Sequence, residues 1–214
     1  MSAARGLVHA LAVGPFQSNT YIVSDAGEAL VVDPGDEPGR AAEYVERMGL
    51  KVSAIVLTHG HVDHVGGVAE LEALWGVDSH LHPADRFLVD RLPEICALYG
   101  LPPVAPPARL RELRGGDVFR AGGVALEVRE TPGHSPGHVV LRSPGWVIVG
   151  DLVFAGSVGR MDLPGGDGAA LMASIEREIL SLPDDVTLYP GHGPATTVGA
   201  ERRGNPFLQP GAMG

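Results

Sequence analysis

A single cysteine, Cys96, stands in this chain of 214 residues, so no internal disulfide is available and a reducing compartment is the natural setting. Cys96 lies in Leu92-Pro93-Glu94-Ile95-Cys96-Ala97-Leu98, away from the His- and Asp-rich segments, and reads as a small buried apolar residue rather than a nucleophile. No apolar run approaches the roughly 18 residues of a membrane span. The N-terminus lacks the charged segment and long apolar stretch of a secretory signal, so a cytoplasmic protein with no membrane partner is expected. Basic residues are scarce as well: 16 Lys and Arg against 26 Asp and Glu give a net charge of −10, with no basic stripe. Nonspecific phosphate binding is unfavourable on that balance, and nucleic acid is not an expected partner. Repeats and low-complexity tracts are missing, although 30 Gly and 18 Pro supply many tight turns. No domain boundary shows, and the expectation is one compact domain over residues 1–214 with a substantial core.

What the chain does have is a concentration of metal-binding side chains. Thr58-His59-Gly60-His61-Val62-Asp63-His64-Val65-Gly66-Gly67 follows directly on the apolar run Ser53-Ala54-Ile55-Val56-Leu57. On an extended loop, side chains two apart point the same way, so His59 and His61 can face one point. Asp63 and His64, at the turn into the next segment, can face a second, and the spacing suggests two adjacent metal sites. A lone His-x-His pair is more often solvent-exposed than metal-bound, so partners elsewhere decide. They are present: predicted strands lead into Thr131-Pro132-Gly133-His134, through Gly150 into Asp151, and through Pro190-Gly191 into His192. Side-by-side strands would gather these residues at one edge, aimed by the Gly and Pro turns. His9, His80, His82 and His138 read as structural or solvent-facing, with a place behind the ligands as the alternative for His138.

The remaining segments read as ordinary elements. Residues 7–13, 21–23 and 29–32 are predicted strands. Pro38 opens a helix that carries Ala41, Tyr44, Val45 and Met48 on one face and stops at Gly49. A second helix has Val68, Leu71 and Trp75 inward and ends at Gly76, and a third carries Leu171, Ile175, Ile179 and Leu182 before Pro183. A helix is expected over 84–91. Residues 93–107, with their prolines, read as a loop bordering the cleft, where Tyr99 either packs or touches substrate.

This combination resembles the metallo-β-lactamase superfamily, whose His-x-His-x-Asp-His hallmark and later His, Asp and His are all present. The resemblance covers nearly the whole chain. It implies an α/β fold, a four-layered αββα sandwich with two mixed sheets, which also suits strand groups each followed by helices. Within the superfamily the chain is similar to the short glyoxalase II-like hydrolases. Gly150-Asp151-Leu152-Val153-Phe154-Ala155-Gly156-Ser157-Val158-Gly159-Arg160-Met161-Asp162 resembles the start of their loop after the bridging aspartate, and Gly191-His192-Gly193-Pro194 with Asn205-Pro206-Phe207 resembles their C-terminal signature. Carried over, His59, His61 and His134 would hold one metal, Asp63, His64 and His192 a second, and Asp151 would bridge them. Ser18-Asn19-Thr20-Tyr21 and Val32-Asp33-Pro34-Gly35 also resemble family segments; Asp33 either braces the ligand loop or is a plain turn residue.

Two divalent ions about 3.5 to 4 Å apart can share a water, lower its pKa towards neutrality and polarise a carbonyl. Zinc is the leading candidate, and the ligands also suit iron or manganese. The resemblance implies hydrolysis of a small-molecule thioester such as S-lactoylglutathione by a metal-bridging hydroxide that Asp63 orients. Longer glyoxalase II enzymes contact glutathione through a C-terminal helical domain, and with about twenty residues after His192 most of that surface is expected to be missing here. This chain's Gly159-Arg160-Met161-Asp162 also differs from their aromatic, lysine-containing loop, and Arg160 either binds a substrate carboxylate or pairs with Asp162. Alternative readings are a persulfide dioxygenase with one iron held by two His and an Asp, a lactonase or β-lactamase, and a non-catalytic binding member of the fold.

Overall fold

A computed structural model describes residues 6–209. Its strands alternate between two apolar environments. In β2 (Ser18–Asp25), Tyr21 and Val23 enter one core while Ile22 enters another. The same period of two divides β3 (Glu28–Val32) and β4 (Lys51–Val56): Leu30, Val32, Ala54 and Val56 share the core of Tyr21, whereas Val31 and Ile55 share that of Ile22. A strand covered on both faces must be apolar on both, which explains why these runs read as continuous hydrophobic segments.

With β1 (Leu7–Val13), β5 (Ser79–Leu81) and β6 (Leu110–Glu112) they form a six-stranded sheet in sequence order. Its first three strands are antiparallel and the rest parallel. A second six-stranded sheet contains β7 (Val118–Ala121), β8 (Val124–Glu130), β9 (Val139–Ser143), β10 (Trp146–Gly150), β13 (Thr187–Pro190) and β14 (Thr196–Thr197), ordered β14-β13-β10-β9-β8-β7. Only β10 and β13 run parallel there. A small hairpin of β11 (Val153–Phe154) and β12 (Ser157–Val158) stands apart.

The two sheets close on a shared core in which Tyr21, Leu30 and Val56 join Leu126, Val128, Leu141 and Ile148. Outside the first sheet, α1 (Pro38–Arg47) and α3 (Val68–Trp75) bury Tyr44, Val45, Val68 and Leu71. Outside the second, α6 (Gly168–Glu178) and α7 (Val198–Gly204) bury Leu171, Ile175 and Val198 against Val147 and Val149. The αββα sandwich with two mixed sheets is the observed fold.

Two expected element bounds fail. Residues 92–99, assigned in part to a loop, form α5 (Leu92–Tyr99), directly after α4 (Arg86–Asp90), which a 3-10 turn at Pro83–Asp85 precedes. Pro93 sits in the first turn of α5, where its missing N–H breaks no helical hydrogen bond, and left-handed Gly100 (φ +66°) ends the helix. The helix carrying Leu171 also stops earlier than expected, at Glu178, yet Ile179 and Leu182 remain in the same core. Among the described residues no helix is long and apolar enough to cross a membrane.

Candidate metal centre

Strand ends deliver the site. His59 and His61 follow β4, and α2 (Val62–Val65), a single turn, carries Asp63 and His64. His134 lies between β8 and β9, Asp151 directly follows β10, and His192 follows β13. Ligand-type atoms of His59, His61 and His134 lie within 4.8 Å of one another, and those of Asp63, His64 and His192 form a second such group. Asp151 stands between the groups: its Oδ2 is 3.5 Å from Nε2 of both His134 and His192, and its Oδ1 is 3.4 Å from His64 Nε2. Every metal-binding residue expected from the sequence is thus brought to one place.

Hydrogen bonds behind the rings set which nitrogen faces forward. Asp33 accepts from the Thr58 backbone N–H at 2.7 Å, the Thr58 hydroxyl at 2.6 Å and His64 Nδ1 at 3.0 Å. Because the Thr58 hydroxyl donates to Asp33, its oxygen must accept from His59 Nδ1, 3.0 Å away. His134 Nδ1 donates to the Arg160 carbonyl at 2.8 Å, and His192 Nδ1 to the Phe16 carbonyl at 3.0 Å. Each of these imidazoles is therefore held through Nδ1 and turns Nε2 forward, the atom a metal-binding histidine offers. Asp33 braces the ligand loop, and is no mere turn residue.

Nε2 of His59, His61 and His64 and Oδ1 of Asp151 are buried without a hydrogen-bond partner. Buried polar atoms are rarely left so, and their convergence fits bound cations. The charge balance points the same way. Burial opposes an imidazolium at His64, but Asp151, Asp63 and Asp33 outweigh it and hold the pKa well above the ordinary value. Burial is likewise overcome at His192, pushed up to about 10 by hydrogen bonds to Asp151 and Asp63. Burial would raise Asp151, yet His64 and His192 hold it well below the usual carboxylate range. Two carboxylates enclosed by imidazoles call for positive charge, and a divalent cation supplies it. Gly191 leaves the room: a Cβ there would run into the Asp151 carboxylate.

Two supports escaped the sequence reading, and a third, His138, takes the place behind the ligands that was its alternative there. Asp85, fully buried, accepts from the Gly60 N–H at 3.0 Å, the Ser135 hydroxyl at 2.6 Å and the Gly137 N–H at 2.6 Å. It ties the His59/His61 loop to the His134 loop, and burial raises its pKa. His138 accepts the Asp151 N–H on Nε2 at 3.1 Å and contacts Thr131 through Nδ1, so it stands behind the cluster. The Asn19 amide and Tyr21 hydroxyl both donate to the Pro190 carbonyl beside His192. His9 stacks on Tyr44, His80 contacts Phe119, and His82 faces Glu130, all away from the cluster. Asp85→Ala, which strips the acceptor from three donors, is expected to cost about 3 kcal/mol of stability and weaken metal binding by about 10- to 100-fold. Denaturant unfolding and competitive metal titration measure both; an unchanged metal affinity in the folded variant would reduce Asp85 to a packing role.

The cluster opens into a cleft of about 540 Å³ walled by Phe16, Ile95, Leu98, Tyr99, Phe154 and Leu163. Arg160 lines it too, and its guanidinium forks onto Asp162 at 2.8 and 2.7 Å. The pairing expected as one of two roles for Arg160 is present, and the residue still borders the cleft. Cys96 is buried, as expected.

The profile of the metallo-beta-lactamase superfamily matches residues 13–192. The chain belongs to that superfamily. It is 36% identical over 207 residues to "Hydroxyacylglutathione hydrolase GloC" of Haemophilus influenzae, covering 94% of this chain and 97% of that one. The structure titled "Crystal structure of TTHA1623 in a di-iron-bound form" superposes with a TM-score of 0.86 at 44% identity, over 94% of this chain and 100% of the other. BLEG-1, a B3 metallo-beta-lactamase, gives a TM-score of 0.86 at 34% identity, over 95% and 100%. Membership and the His/Asp cluster together make this a metal-dependent enzyme of the metallo-hydrolase type.

Proposed function

We propose that this chain is a dinuclear metallohydrolase of the glyoxalase II-like type that cleaves a small-molecule thioester such as S-lactoylglutathione. The observation that carries the reading is the pair of three-residue groups with Asp151 reaching both. His59, His61 and His134 would hold one ion, Asp63, His64 and His192 the other, and Asp151 would bridge. Zinc leads for this donor set, with iron or manganese as alternatives; the di-iron form of a similar structure lends iron weight. When bound, a metal pair supplies a hydroxide-strength nucleophile near neutral pH and polarises the carbonyl under attack.

The chain's own residues do the rest. Asp63 borders the cleft with Oδ2 3.2 Å from His192 Nε2, placed to orient the nucleophile and accept its proton. Asp33 and Asp85 keep the ligand loops in register, and the apolar walls limit water around the carbonyl. Buried Cys96 fits a reducing, cytoplasmic setting.

A persulfide dioxygenase would use one iron and leave the second group idle, whereas here the second group is complete. The zinc-loaded protein should therefore hydrolyse S-lactoylglutathione or a related thioester without oxygen, and consume no oxygen when given glutathione persulfide. Iron- and persulfide-dependent oxygen uptake with no thioesterase activity would replace this reading with the dioxygenase. Likeness to BLEG-1 puts a β-lactam and a lactone in the same panel; turnover of those alone would shift the leaving group.

Arg160 is exposed and already paired, so its contribution to an anionic substrate is modest. Arg160→Ala should raise KM for anionic thioesters by no more than about fivefold and leave neutral ones unchanged. Equal losses for both classes, with a lowered melting temperature, would make the fork to Asp162 its whole role.

A further inference from the structure

Helix α5 has two apolar faces, one inside the core and a second that meets the core only through Ile95. Leu92 and Cys96 are buried beneath it. Arg91, Ile95, Leu98 and Tyr99, at i, i+4, i+7 and i+8, share the other face, and all four line the cleft above the metal-binding cluster. Leu98 is 76% exposed and Tyr99 47%. Phe16, 41% exposed, meets Tyr99 edge-on at 5.9 Å, and Phe154 and Leu163 belong to the same cleft. An apolar surface of this kind, continuous with His61, Asp63, Asp151 and His192, is ligand-sized and faces the reacting atoms. Polar side chains that could read a peptide-like thiol are few on it: Arg91 and Arg160 are each engaged by a neighbouring acid, Glu94 and Asp162.

We infer that the substrates this site prefers to S-lactoylglutathione carry an apolar alkyl or aryl group on one side of the scissile carbonyl, and that Ile95, Leu98, Tyr99 and Phe154 bind that group and set specificity. The inference rests on the hydrolase reading for the carbonyl alone, since contact with the wall needs no turnover. Burying each added methylene should tighten binding about fourfold.

The test uses the zinc-loaded full chain and straight-chain carboxylates from butyrate to decanoate, titrated by calorimetry. Kd should fall about fourfold per methylene until the wall is filled, with an increasingly negative heat-capacity change. Leu98→Gln, at an exposed position that should leave the melting temperature unchanged, should flatten that dependence. Two turnover series assign the side: acetyl to hexanoyl esters of one thiol, and acetyl esters of lengthening alkanethiols. A rise in kcat/KM along either supports the inference. Affinity independent of chain length overturns it even if thioesters are cleaved; a retained binding slope with no thioester cleaved upholds the wall and removes the hydrolase reading instead. A concentration-dependent dimer that Leu98→Gln dissociates, with flat affinities, would give the wall to a second copy of the chain and overturn the inference.

Discussion

Asp151→Ala should lower turnover by more than about 100-fold, beyond the range seen when a residue behind a metal ligand is lost. The carboxylate is buried and lies 3.4 to 3.5 Å from ring nitrogens in both groups, while the backbone N–H of Asp151 donates to His138. Its removal takes away the carboxylate that reaches both halves of the centre and leaves Asp63 as the one carboxylate that His64 and His192 still share. Turnover should fall together with metal content, measured by mass spectrometry on folded protein. Substitution of His9, His80 or His82, which stand elsewhere, should change turnover little. Near wild-type turnover in Asp151→Ala would show that the bridge has been misplaced.

Metal removal should have the second large effect. Protein prepared with excess divalent metal should hold about two ions per chain, His134→Ala should lose the first site and His192→Ala the second. An ion present at about 1,000 times its Kd stabilises the fold by about 4 kcal/mol. Each kcal/mol moves the melting temperature of a chain this size by about 2–4 °C, so losing one ion should lower it by about 8–16 °C and chelating both by about twice that. Calorimetry before and after chelation reads the change. No more than one ion bound under metal-replete conditions would reject the dinuclear assignment, and an unmoved melting temperature would show the ions add nothing to stability.

Much of this was legible in the sequence because strand-end ligands leave two signals together: an apolar run and, just past it, a turn carrying His or Asp. Residues 53–57 before His59 and 146–149 before Asp151 show both, and the structure places these side chains in one cluster. Asp85 left no such signal. Its carboxylate acts on backbone N–H groups of Gly60 and Gly137, and hydrogen bonding to backbone depends on where the chain passes rather than on residue type. His138 was half legible: its closeness to His134 in the chain suggested a place behind the ligands, but nothing in the sequence pointed to the Asp151 N–H that it accepts. Helix α5 was obscured by Pro93, a residue that breaks helices in their interior and is harmless in their first turn.

The division of the centre between the sheets has a further meaning. His59, His61, Asp63 and His64 hang from the first sheet, and His134, Asp151 and His192 from the second. Each of the two groups that Asp151 links draws on both sheets, because His134 completes one and His192 the other, whereas Asp33, which comes within the same distance of His59 and His64, belongs to the first sheet alone. The reaction centre therefore comes into being only when the two sheets dock over the core of Tyr21, Leu30, Leu126 and Ile148. Turnover reports that docking rather than the amount of strand or helix, and a collapsed chain with both sheets formed but unjoined is chemically silent.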